Sequence, residues 1–75
     1  MILTIVQLKQ IALAGGGLSL DASQFTYNQV KEIIEAAQAG GKALISLHNV
    51  IGLNVTQLVA LATLAPGLVM FEIAG

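Results

Sequence analysis

Leu53–Leu61 reads LNVTQLVAL, and the same phrase stands at Leu3–Ile11 as LTIVQLKQI and at Phe25–Ile33 as FTYNQVKEI. Each copy runs apolar, Thr or Asn, two residues, Gln, apolar, two residues, apolar. This is the signature of a helix start. Thr4, Thr26 and Asn54 hold the N-cap position, and Gln7, Gln29 and Gln57 lie three residues on, where an amide can bond back to the cap's own N–H. The apolar residue before each cap (Leu3, Phe25, Leu53) is spaced to pack on Leu8, Val30 and Leu58, five residues later, as a hydrophobic staple.

Outward from these starts, helical periodicity continues each time. In the first unit the apolar positions are Leu8, Ile11, Ala12 and Ala14, ended by Gly15-Gly16-Gly17. In the second, Val30, Ile33, Ile34 and Ala37 form a stripe, Lys31, Glu32, Glu35 and Gln38 take the solvent side, and Gly40-Gly41 stops the helix. The third helix spans Asn54–Ala65 with Leu58, Leu61 and Ala62 inward, and Pro66-Gly67 ends it. Behind each helix comes a short β-type run: Leu18–Asp21, Ala43–Leu47 and Leu68–Ile73. Successive capping glutamines are 22 and 28 residues apart, a period that signals stacked helix–strand repeats. The expected fold is therefore α/β. Three short helix–strand repeats (about 3–24, 25–52 and 53–75) form a single domain, solenoid-like, with a small parallel sheet and the helices on one face.

Leu18-Ser19-Leu20-Asp21-Ala22-Ser23-Gln24-Phe25-Thr26 resembles the strand-and-turn core of leucine-rich repeats, where an LxL strand leads into a polar turn and an apolar-Thr pair. The family's turn asparagine or cysteine is replaced here by Ser23 and Val50, with Asn49 one residue early. The resemblance implies a binding or assembly scaffold, not an enzyme. A second likeness, of Gln29-Val30 and Gly40-Gly41-Lys42-Ala43-Leu44, is to transcription-activator-like effector repeats. Those are all-helical, basic and of fixed period, unlike this chain.

Composition narrows the functional classes. The 75 residues are 56% apolar and 9% charged, with net charge −1 and no cysteine, where an average soluble domain carries about 25% charged residues. With three lysines and no arginine, no cationic patch for nucleic acid is available. The charge-free run from Ala43 to Phe71 is interrupted by Ser46, His48, Asn49, Gly52, Asn54, Thr56, Gln57 and Pro66, so a membrane span is not expected. No basic segment precedes the first apolar stretch, and a cytoplasmic location is favoured over secretion. The glycine runs close helices instead of opening them, the reverse of a phosphate loop. Without cysteine and with a lone histidine, neither a metal nor a cofactor is expected.

Strand alternation places Leu18, Leu20, Ile45, Leu47, Phe71 and Ile73 toward the helices, and Ser19, Asp21, Ser46, His48, Met70 and Glu72 on the opposite face. The polar members (Ser19, Asp21, Ser46, His48, Glu72) make a candidate binding face. Ser46, His48 and Asp21 invite a small hydrolase as the alternative function. However, side chains two apart on one strand stand roughly 6–7 Å apart, outside the reach a serine–histidine relay requires.

The charge asymmetry is more informative. All three lysines and three of the four acids precede Ala43. The outward positions of the third helix are Val59, Ala60, Thr63 and Leu64, and Leu44, Leu68 and Met70 add apolar groups on the sheet side. An uncharged surface of that extent is unusual on a monomer. The expected function is a non-enzymatic structural or protein-interaction module. It forms a homo-oligomer through its C-terminal unit or engages another protein there.

Overall fold

The computed structural model describes residues 3–41 and 43–73. They form a mixed α/β fold in which α1 (Ile5–Leu13), α2 (Tyr27–Gly40) and α3 (Val55–Leu64) alternate with β1 (Leu18–Asp21), β2 (Ile45–His48) and β3 (Val69–Phe71). The strands make one parallel sheet in the order β1-β2-β3. Leu18, Ile45 and Val69 align across it, followed by Ser19, Ser46 and Met70, then Leu20, Leu47 and Phe71, and last Asp21 beside His48.

All three expected capping boxes are present. The cap side chains of Thr4, Thr26 and Asn54 accept from the N–H of Gln7, Gln29 and Gln57 at 3.2, 3.2 and 2.8 Å. The glutamine side chains accept in return from the cap N–H at 2.9, 2.9 and 3.1 Å. Two of the orphan donors that open every helix are thereby satisfied. At the other ends, Gly15, Gly41 and Gly67 take positive φ, a conformation that L side chains resist.

The unequal spacing of the three units has a local origin. Helix α2 has 14 residues where α1 has 9, which supplies five of the six extra residues between the second and third glutamines. The sixth is Asn49. Both strands lead into a 3-10 turn, Ala22–Gln24 after β1 and Val50–Gly52 after β2, but the second turn begins one residue late. Asn49 absorbs the insertion in the left-handed region at φ 55°, which asparagine tolerates better than most residues. Beyond it the two turns coincide again: Ala22 and Val50 are buried, and the N–H groups of Phe25 and Leu53 return to their carbonyls at 3.3 and 2.9 Å.

The core lies between the helices and one sheet face. Leu20, Ile45 and Leu47 meet Leu8, Ala12, Val30, Ile33, Ile34, Ala37, Leu61 and Ala65 in one apolar cluster. On the other face Ser19 and Met70 are exposed and Ser46 is half-buried.

Five inward or outward expectations change. Ile11 and Ala14 were expected on the inner stripe of α1 but are exposed; among the described residues no helix packs on the Ile11 side of α1, and Ala14 is the C-cap, past the last helical residue. Leu64 was expected outward on α3 but packs on the core, since it lies three residues beyond buried Leu61 on the same face. Leu68 was expected on the open sheet side but also packs on the core. It belongs to the turn before β3, where its N–H bonds the Ala65 carbonyl at 2.9 Å, so strand alternation does not yet govern it. Ile73 was expected inward but is 72% exposed, since β2 ends at His48 and Asn49 turns away, leaving no strand to hold its pleat.

Candidate functional site

Two surfaces collect the residues singled out in the sequence. The first is the polar sheet face. Parallel register brings Asp21 beside His48 and Ser19 beside Ser46, while Glu72 follows β3 with its N–H bonded to the Leu47 carbonyl at 2.8 Å.

Asp21 ends β1 and caps the 3-10 turn behind it. Its Oδ1 accepts from the Ser23 N–H at 2.9 Å and from the Ser23 hydroxyl. The Ser23 hydroxyl above all holds the Asp21 carboxyl below its ordinary pKa of 3.8. The Ser23 N–H, the Asn49 side chain and the charge of His48 act in the same direction against an opposing desolvation. The carboxylate thus fixes the turn that aims the chain into Thr26 and α2. Among the described residues neither Ser46 nor His48 hydrogen-bonds the other, and no three His, Cys, Asp or Glu side chains gather.

A pH consequence follows from the Asp21 bonds. A carboxyl whose pKa is lower folded than unfolded adds stability above the unfolded value, and that stability is lost as pH falls through the folded one. Asp21→Asn keeps an acceptor for the Ser23 N–H but removes the titration. The variant is expected to be less stable than the unaltered chain at neutral pH, where the carboxylate's contribution is lost, and to show a flatter loss of stability below about pH 4, where the two converge. Urea midpoints measured across that range check this, and an unchanged acid limb would place the titrating group elsewhere.

The second surface is the C-terminal end of the row. Val59 and Thr63 of α3 are exposed as expected, Ala60 is half-buried, and Leu44 and Met70 are exposed on the sheet side. The Thr63 hydroxyl turns back to the Val59 carbonyl at 2.8 Å. Exposed apolar groups that the sequence reading missed extend this surface: Val55 (74% exposed), Ile51 and Ile73. Val55 escaped notice because the first helical position after the cap is half-buried in the other two units, as Ile5 and Tyr27. Nothing local distinguishes it.

A shallow groove of about 480 Å³ runs between α1 and α2, lined by Val6, Lys9, Gln10, Leu13, Glu32 and Ala36 among others. The Lys9 ammonium reaches Glu32 across it at 3.5 Å. No helix among the described residues is long and apolar enough to cross a membrane. Compared with known protein families, with characterised proteins and with solved structures, the chain matches none.

Proposed function

We propose that this chain is a non-enzymatic structural or protein-interaction module, a three-unit solenoid of leucine-rich-repeat-like kind, that self-associates through its C-terminal unit. One observation carries the reading. Helix α3 has a single buried residue, Leu61, whereas α2 has four, and its outer side bears Val55 and Val59, 74% and 59% exposed, with no charged residue anywhere on the helix. Repeat units of this kind hide their apolar flanks only against a neighbour, and among the described residues nothing covers the far side of the third unit. The leucine-rich-repeat likeness is supported by the short LxL-type strand, the 3-10 turn and the capped helix that recur in two successive units.

Fully covering a valine stabilises an association by about 1.5–3 kcal/mol. Val59→Glu removes that gain and sets a carboxylate against an apolar surface. At 1.4 kcal/mol per tenfold, association is expected to weaken at least about tenfold. Sedimentation velocity checks this. The unaltered chain is expected to sediment as a concentration-dependent oligomer and Val59→Glu as a smaller species. A monomer for the unaltered chain at all concentrations would remove the proposal.

A further inference from the structure

The positions at which one unit touches the next can be read from the burial of equivalent residues. Seven residues after the cap stand Ile11, Ile33 and Leu61. Ile33 and Leu61 are fully buried and Ile11 is 36% exposed, so this position faces the preceding unit, which α1 lacks. Eight residues after the cap stand Ala12, Ile34 and Ala62. Ala12 and Ile34 are fully buried while Ala62 is not, so this position faces the following unit, which α3 lacks. The Lys9–Glu32 contact fixes the same polarity: a residue five after one cap meets a residue six after the next. On α3 the residues that face onward are accordingly Val55, Val59 and Ala62. On α1 the apolar residue that faces backward is Ile11, with Gln10 beside it at the outer edge of the helix.

We infer that the partner of the C-terminal end is the N-terminal unit of a second copy, joined head to tail so that α1 of one chain follows α3 of another. The inference rests on the self-association just proposed and names its geometry. Each end lacks what the other offers. Among the described residues no helix covers Val55, Val59 and Ala62 on one side or Ile11 on the other, and one contact covers both. A symmetric tail-to-tail contact leaves Ile11 exposed.

The strand edges agree. The Leu68 carbonyl and the Glu72 N–H both turn toward β2, so by strand alternation Val69 and Phe71 turn their N–H and C=O groups to the free edge. The Leu18 N–H bonds the Leu44 carbonyl at 3.0 Å, so Ser19 and Asp21 turn theirs to the free edge of β1. The joint therefore continues the parallel sheet from β3 into the next copy's β1. Its helix layer is uncharged on both sides: Val59 stands where Lys9 stands in the α1–α2 joint, and Gln10 where Glu32 stands. A contact of this kind is heterologous and propagates from chain to chain.

Mixing two blocked variants tests the geometry. Ile11→Lys blocks the head and Val59→Glu blocks the tail. Each alone is expected to sediment as a monomer, and an equimolar mixture as a two-chain species, because an intact tail remains on the first and an intact head on the second. Far-UV circular dichroism confirms folding, and Gln10→Lys, at an exposed position, replaces Ile11→Lys if that variant unfolds. If the head variant assembles as the unaltered chain does while Val59→Glu does not, the contact is tail to tail and the head-to-tail inference fails with self-association intact. Two monomeric variants that do not pair on mixing also overturn it. An unaltered chain that is itself monomeric overturns the underlying proposal.

Discussion

Leu47→Ala is expected to lower the free energy of unfolding by about 2–5 kcal/mol, the cost of emptying a fully buried leucine site. Leu47 is fully buried at the centre of β2, the middle strand, with Leu20 and Phe71 in register on either side. It therefore touches the core where the three strands and the helices meet. A chain of this size has a total stability of about 4–11 kcal/mol, so the variant is expected to lose a large share of it. Leu44→Ala is the control. Leu44 lies three residues earlier and is exposed, and its truncation is expected to change stability by less than about 0.5 kcal/mol. Urea unfolding followed by circular dichroism measures both. Equal losses at the two positions would mean that the helices do not lie on the face assigned to them.

The same contrast shows which parts of the architecture were legible in advance. The three helix starts were, because a capping box is written in four adjacent residues and closes on itself whatever surrounds it. The parallel order of the strands followed from helix–strand alternation, since a crossover helix is what a parallel pair requires. What escaped depends on neighbours distant in sequence. Ile11 carries the same periodic signature as Ile33, yet Ile33 is fully buried and Ile11 is not, because among the described residues no helix packs on that side of α1. Leu68 looks outward on a strand template, yet it belongs to the turn before β3 and folds onto the core, while Leu64 shares a helix face with Leu61 and so packs inward with it. Asn49 in the left-handed region had no local warning either, because its role is to absorb an insertion visible only when the two turns are superposed. On the candidate interface, Val59 and Met70 could be picked out as apolar residues in a charge-free stretch. Val55 could not, as the equivalent positions Ile5 and Tyr27 are half-buried and nothing local marks it as exposed.

Gly40→Ala is expected to destabilise the fold by about 1–3 kcal/mol, although alanine is the better helix former by about 1 kcal/mol. Gly40 is the last residue of α2. A Cβ placed there would collide with the Leu13 carbonyl group and lie 3.0 Å from the Ala12 carbonyl oxygen. These are backbone atoms, so no rotamer change relieves the clash. The Ala12 carbonyl is further held by the Gly15 N–H at 3.0 Å, and Ala12 itself is fully buried. To make room, α2 would have to lift from α1 and open the core along Ile34 and Ala37, and that cost exceeds the gain in helix propensity. Gly41 next door separates close approach from conformational freedom. It has positive φ and nothing within 4 Å of its would-be Cβ, so Gly41→Ala is expected to cost only the left-handed penalty of about 1–2 kcal/mol. Substituting D-alanine at Gly41 by chemical synthesis removes that penalty. The same substitution at Gly40 trades the collision for a right-handed helical strain and is not expected to restore stability. Urea midpoints that rise on Gly40→Ala would show that α1 and α2 do not approach through this glycine, and the spacing that sets all three helices on one sheet face would have to be revised.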